Sequence, residues 1–177
     1  EEWYLDQAIL GAVHLYGMPF KVDEIRTIAN KYEIPIIEDS AEALGSAFKG
    51  QKCGTFGDIS ILSFNGNKII TTSGGGAIIT KNELLKNEAV FLATQARDNA
   101  PHYQHSKIGY NYRLSNVVAG IGRGQLKVLS DRVNKKREIF KAYQEGLSEI
   151  KEISFITEKE GKHANHWLSA IIQNHKM

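Results

Sequence analysis

Pro35-Ile36-Ile37-Glu38-Asp39 is a short apolar run ending in two carboxylates, and its place between an amphipathic helix and an Ala/Gly-rich loop decides the fold. On its N-terminal side, Asp23 and Glu24 suit the positive end of a helix, and Ile25, Ile28, Ala29 and Tyr32 share one helical face at i, i+3, i+4 and i+7. Before that helix, Ala8-Ile9-Leu10-Gly11-Ala12-Val13-His14-Leu15-Tyr16-Gly17 reads as a buried strand closed by glycine. Strand, helix and strand within about 30 residues make a parallel βαβ unit with a right-handed crossover. The fold class is therefore α/β.

On the C-terminal side, residues 40–58 read as a loop with one short helical turn through Ala41-Glu42-Ala43-Leu44. Strands are expected at 59–64 and 77–80. Asn82 suits the N-cap of a helix over 83–96, residues 97–113 read as a long loop, and Ser115 suits the cap of a helix over 116–129. A charged helix follows over 131–146 with Val133, Ile139, Tyr143 and Leu147 as its apolar positions, the run from Arg132 to Arg137 being its solvated face. Strands at 153–156 and 167–172 then read as the start of a second domain. The expected division is 1–130 for a large domain and 131–177 for a connecting helix and the start of a small C-terminal domain.

Bulk properties exclude several classes. With 177 residues, 42% hydrophobic and 24% charged, 16 Gly and 3 Pro, the chain is neither disordered, collagenous nor a coiled coil. Lys plus Arg number 22 against 20 Asp plus Glu, a net charge of +2 that points to no nucleic acid and no polybasic membrane contact. A single cysteine, Cys53, excludes an internal disulfide framework, shows no metal spacing and suits a reducing cytoplasm. No apolar run approaches the roughly 20 residues of a membrane span, and Glu1-Glu2-Trp3-Tyr4 lacks the pattern of a signal peptide.

Asp39 ends a parallel strand, the edge at which open α/β sheets bind ligands. Lys68 follows a later strand end and precedes Ser73-Gly74-Gly75-Gly76, so both residues can converge on one crevice, with the Ser63 hydroxyl near the same rim. A lysine among small and apolar neighbours suits a nucleophilic amine, and the glycines let backbone approach a bulky ligand, although taken alone Lys68 reads as an ordinary solvated lysine and Asp39 equally as a helix cap. The glycines of Gly120-Ile121-Gly122-Arg123-Gly124 lie in a helical pattern and read as close helix packing rather than a dinucleotide fingerprint. The pairs His102/His105 and His163/His166 lack accompanying carboxylates or cysteines and read as loop histidines; no metal is expected. Trp167 and Tyr143 read as core.

The order of motifs carries more than any one of them. Glu38-Asp39-Ser40-Ala41-Glu42-Ala43-Leu44-Gly45, then Gly54-Thr55-Phe56-Gly57-Asp58, then Ser63-Phe64-Asn65-Gly66-Asn67-Lys68-Ile69-Ile70-Thr71-Thr72-Ser73-Gly74-Gly75-Gly76 resembles the DegT/DnrJ/EryC1/StrS family of pyridoxal phosphate-dependent sugar aminotransferases. Val13-His14-Leu15-Tyr16-Gly17, Thr94-Gln95-Ala96-Arg97 and Gly109-Tyr110-Asn111-Tyr112-Arg113-Leu114-Ser115-Asn116 extend the resemblance. His102-Tyr103-Gln104-His105 and Asn165-His166-Trp167-Leu168-Ser169 make it most similar to the subgroup that aminates C4 of UDP-4-keto-6-deoxy-N-acetylglucosamine.

The resemblance implies an aspartate-aminotransferase-like, fold type I large-domain fragment with a mostly parallel sheet, flanking helices and the start of a small domain. It implies that Lys68 is the Schiff-base lysine for pyridoxal phosphate and the proton carrier. By the same route Asp39 meets the pyridine nitrogen, Glu42 lies beside the phenolic oxygen and Ser63 binds the phosphate. Asn111 reaches the phosphate of a neighbouring subunit's cofactor, which implies a homodimer with a shared site. Glutamate is the implied amino donor, a nucleotide-linked keto sugar the acceptor, and surface glycan or polysaccharide biosynthesis the setting. Related dehydratases carry His where Lys68 stands, which disfavours them. Family members are about twice this length, so a fragment that keeps the fold without turnover is the second reading.

Overall fold

The βαβ unit forms where the apolar pattern places it. In the computed structural model, which describes residues 8–173, β1 (Leu10–Val13), α1 (Val22–Lys31) and β2 (Ile36–Asp39) lead the chain. Leu10 to Val13 pair in parallel with Ile36 to Asp39. The first strand is shorter than expected, because Leu15–Gly17 turn into a single 3-10 turn with Tyr16 left-handed at φ 55°. On α1 the buried residues are Val22 and Ala29, with Ile25 packed beside them, whereas Ile28 and Tyr32 are exposed. The stripe that meets the sheet begins one turn earlier than the pattern suggested, at Val22.

Next come β3 (Ala47–Phe48), β4 (Gln51–Lys52), β5 (Ile59–Ser63) and β6 (Gly76–Ile79). The main sheet has the order β1-β2-β5-β6; β5 runs parallel to β2, and β6 returns antiparallel beside β5. This is the mostly parallel α/β sheet expected. One face packs on α1 and the segment leading into it through Ala12, Ile36, Phe20 and Ala29. The other carries the cross-strand row Val13, Asp39, Ile61, Ile78, in which Val13 and Ile78 are half exposed.

Residues 40–58 are more than a loop. Ala47 and Phe48 pair antiparallel with Lys52 and Gln51 across a two-residue turn, in which Lys49 and Gly50 both have positive φ, the geometry of a tight hairpin. Strands of two residues are too short to show a period, so only Lys49-Gly50 marked the turn.

The helices α2 (Glu83–Ala93), α3 (Asn116–Leu126) and α4 (Leu129–Gly146) follow, then β7 (Ile153–Phe155), β8 (Lys162–His163) and β9 (Ile171–Gln173). Asn82 caps α2 by accepting from the Leu84 and Leu85 amides, and Ser115 caps α3 by accepting from Val118. Helix α2 ends before residue 96, because Gln95 and Ala96 turn left-handed. Of the α3 glycines only Gly122 is closely approached, since a Cβ there would come within 3.0 Å of the Thr72 methyl; a Cβ at Gly120 or Gly124 would meet open space, so close packing accounts for one of the three. Helix α4 buries Val133 and Phe140, while Tyr143 is exposed rather than core. Arg137 departs from the solvated face as well: its guanidinium forks onto Glu158 and donates to the Ala164 carbonyl. Strand β8 pairs with β3, and β7 with β9. The expected strand over 167–172 is reduced to β9 because Trp167 turns inward and is buried. No described helix is long and apolar enough to cross a membrane.

Candidate active site

Strand alternation sends the two carboxylates of β2 to opposite faces. Glu38 points inward and is fully buried. Its Oε1 accepts hydrogen bonds from the Gly54 amide (2.5 Å), His14 Nε2 (2.7 Å) and the Ser40 hydroxyl (3.1 Å). Its Oε2 accepts from the Phe56 and Gly57 amides (2.7 and 3.0 Å) and the Ser60 hydroxyl (2.8 Å). The Phe20 amide donates to His14 Nδ1 at 3.1 Å, which leaves Nε2 to donate to Glu38. Burial pushes the Glu38 carboxyl up, but the bonds from His14, Gly54, Gly57 and Ser60 outweigh it and hold its pKa at about 2. This anchor ties the 53–57 loop and β1 to the end of β2 and so fixes where Asp39 stands.

Asp39 sits at the opposite face of that strand end, its Oδ1 accepting from the Ala41 amide at 3.0 Å. The tight loop that follows carries Glu42, whose Oε2 accepts from the Tyr16 amide at 2.6 Å. Lys68 arrives from the loop after β5. That loop is folded by Lys68 N–H to Asn65 O and Thr72 N–H to Phe64 O, and is pinned by the buried Ile70. The Lys68 amine lies 3.7 Å from Glu42 Oε1, with only 14% of its side chain exposed. The Trp167 ring lies against the same amine, 4.6 Å from Nζ to centroid. Ser63 ends β5, its hydroxyl accepting weakly from the Asn65 amide at 3.4 Å.

Of the five residues singled out from the sequence, Lys68 and Glu42 meet directly, and Asp39 heads the loop that bears Glu42. Asn111 is exposed in the long loop, where its backbone bridges Thr94. That loop is pinned rather than disordered: Tyr110 N–H donates to Leu92 O, Tyr112 N–H to Ala93 O, and His105 Nδ1 to Gln95 O. Gly75 and Gly76 serve internal packing, since a Cβ would strike Leu114 at the first and the Leu62 carbonyl at the second.

Sequence reasoning missed Asn165. Its Nδ2 donates to the carbonyls of Glu42 (2.8 Å) and Leu44 (3.0 Å), its amide donates to Ser46 Oγ (2.9 Å), and its Oδ1 accepts from the Trp167 amide (3.0 Å). The preceding residue, Ala164, is held by Arg137 and Glu158. His166 is not a solvated loop histidine: it is buried, left-handed at φ 47° and stacked on Phe140 at 3.9 Å. Burial pushes its pKa down. No local pattern marks a clamp whose partners lie more than a hundred residues away.

Gly17 closes against that clamp. It holds φ +78°, and a Cβ there would run into Asn165 Oδ1 and come within 3.0 Å of the Glu42 carbonyl. Gly17→Ala is therefore expected to cost about 2 kcal/mol and to lower Tm by about 4–8 °C, measured by thermal melts in circular dichroism.

Known proteins are similar to this chain in sequence or in structure. EpsN of Bacillus subtilis (strain 168), which bears the provisional name pyridoxal phosphate-dependent aminotransferase, is 50% identical over 94% of this chain and 43% of its own length. GDP-perosamine synthase of Escherichia coli O157:H7 is 40% identical over 90% of this chain and 43% of its own. A UDP-4-amino-4,6-dideoxy-N-acetyl-beta-L-altrosamine transaminase of Campylobacter jejuni (serotype O:23/36, strain 81-176) is 36% identical over 94% and 45%. The crystal structure of the aminotransferase TlmJ from Streptoalloteichus hindustanus superposes with a TM-score of 0.87 at 27% identity, over 93% of this chain and 46% of that one. The chain thus spans less than half the length of these relatives. With residues 6–177 matching its pattern, this chain belongs to the DegT/DnrJ/EryC1/StrS aminotransferase family.

Proposed function

We propose that the chain carries the lysine and most of the cofactor-binding edge of a pyridoxal phosphate-dependent enzyme that aminates a nucleotide-linked 4-keto-6-deoxy sugar, with glutamate as donor. The observation that carries this reading is the half-buried Lys68 amine against the Glu42 carboxylate, beyond the strand end that presents Asp39. The donor set fits the cofactor: a primary amine for its aldehyde, a carboxylate for its pyridine nitrogen, a hydroxyl for its phosphate and a second carboxylate near its phenolic oxygen. When bound, pyridoxal phosphate supplies an electron sink for the carbon that loses its proton. Lys68 would hold the cofactor at its aldehyde and, with its amine free, would carry the proton as base and acid. Asp39 keeps the pyridine nitrogen protonated, Ser63 binds the phosphate, and Glu42 sets the position of the Lys68 amine. Asn111, exposed on its loop, reaches across to the phosphate site of a second subunit in a homodimer working in the cytoplasm.

The preferred acceptor is UDP-4-keto-6-deoxy-N-acetylglucosamine, with glutamate's amino group replacing the keto oxygen at C4 and 2-oxoglutarate leaving. The Campylobacter relative, named for a UDP-sugar, supports the UDP form; the Escherichia relative, named for a GDP-sugar, favours a GDP-linked acceptor as the second reading. A coupled assay decides: 2-oxoglutarate release from glutamate is expected with the UDP-linked sugar and at least ten-fold less with a GDP-linked 4-keto-6-deoxy sugar. The reverse order moves the assignment to GDP-sugars, and no release with either overturns it. The alternative is that residues 1–177 taken alone keep the fold without turnover; it is favoured by the exposed apolar side chains beside Asp39 on its sheet face, and the same assay on the 177-residue chain and on a longer protein that contains it separates the two.

A further inference from the structure

Lysine has a long flexible stem, and a free amine that must return to the same carbon in every turnover has to be held. We infer that Trp167 is a positioning residue for Lys68: its indole face and the Glu42 carboxylate form a two-sided cage for the lysine amine whenever that amine is not bonded to cofactor. The inference rests on the role given to Lys68 above. The amine lies 4.6 Å from the Trp167 ring centroid and 3.7 Å from Glu42 Oε1. The first distance is inside the range in which an ammonium is attracted to the face of an aromatic ring, and the attraction grows where water is excluded. Only 14% of the Lys68 side chain and 5% of Trp167 are exposed.

Both walls of the cage hang from one side chain. Asn165 accepts from the Trp167 amide and donates to the Glu42 carbonyl, so a single amide group ties together the backbones that bear the ring and the carboxylate. The other Glu42 oxygen is held by the Tyr16 amide. His166, between Asn165 and Trp167, takes a left-handed backbone that its stacking on Phe140 and burial sustain. Trp167 does not gain its place from its own polar atom, since its indole N–H has no acceptor among the described residues. The ring presents its face to the Lys68 amine.

Progressive fluorination of tryptophan drains the ring face of negative charge while nearly preserving its shape, so it separates attraction from packing. In a Trp3→Phe background, fluorinated tryptophans of increasing fluorine content are incorporated at Trp167. Cofactor-free protein is then acylated with acetic anhydride, and modification of Lys68 is followed by peptide mass spectrometry. The expected result is a graded rise in the Lys68 rate, reaching about five-fold for the most fluorinated ring. Cys53, buried and with its thiol pushed up to about 12, should stay unreactive toward thiol reagents and so reports an intact fold. With cofactor present, Trp167→Leu should lower kcat about five-fold at unchanged glutamate KM, and Trp167→Phe should restore most of it. A Lys68 rate that is flat across the fluorinated series with Cys53 protected makes Trp167 ordinary core and overturns the inference. Failure of borohydride to fix pyridoxal phosphate on Lys68, with the graded series intact, instead overturns the proposed function and leaves the cage standing.

Discussion

Lys68→Ala is expected to lower sugar amination by about four orders of magnitude while leaving the fold nearly untouched. The large effect follows from the two duties proposed for the amine, holding the cofactor at its aldehyde and moving the proton; a positioned general base alone is worth about 10²–10⁴-fold. The small structural effect follows from the neighbours. Glu42 keeps its bond from the Tyr16 amide, Asn165 keeps its bonds to Glu42 and Leu44, and the 65–75 loop keeps its own hydrogen bonds and the buried Ile70. Lys68→Arg should not rescue activity, because a guanidinium stays protonated at working pH and cannot serve as base. Initial rates of 2-oxoglutarate release, with circular dichroism melts on the same samples, check both halves. Full turnover by Lys68→Ala would sink the assignment of the site.

Glu38→Ala should be the most damaging substitution for stability, at about 3–5 kcal/mol. It strips an acceptor from three backbone amides, two hydroxyls and a histidine at once, all within a buried site. Glu38→Gln keeps the shape but turns an NH2 toward groups that themselves donate, so it should fall between wild type and alanine. The acid dependence has a definite sign. The Glu38 pKa is lowered from 4.5 to about 2 on folding, so its ionisation stabilises the folded state above pH 4.5 and that contribution disappears as the pH falls toward 2. The shift corresponds to about 3 kcal/mol. Urea titrations at pH 7 and pH 3 should show wild type losing stability on acidification and Glu38→Ala losing correspondingly less; equal losses would contradict the anchor.

The two substitutions show what kind of information was legible in the residues. Lys68 could be singled out because its chemistry is local: a lysine beyond a strand end, before a run of glycines, in a motif order that resembles one family. Glu38 was visible only as half of a pair of carboxylates, since nothing in Ile36-Ile37-Glu38-Asp39 tells which of the two turns inward. The pleat decides that, and the three amides that meet Glu38 come from residues 54–57, on a loop with no period to read. Trp167 and Tyr143 looked alike as apolar aromatics, yet one is buried against Lys68 and the other half exposed on α4. Arg137 looked like one more surface charge, but Glu158 and the Ala164 carbonyl draw it inward. The Glu38 and Arg137 readings turned on partners distant in the chain.

By itself the sequence determined the elements whose causes are local: the βαβ unit from its apolar periodicity, the Asn82 and Ser115 caps from their side chains, and the lysine and aspartate at the sheet edge from their positions after strands. The tertiary structure alone decided the surroundings of that lysine. Glu42 comes to it from a loop anchored by residue 38, and Trp167 from a segment ninety-nine residues beyond it, both spaced by Asn165. Periodicity and capping act over one or two turns of chain, whereas a hydrogen bond or a ring face acts on whatever the fold brings within about 3–6 Å.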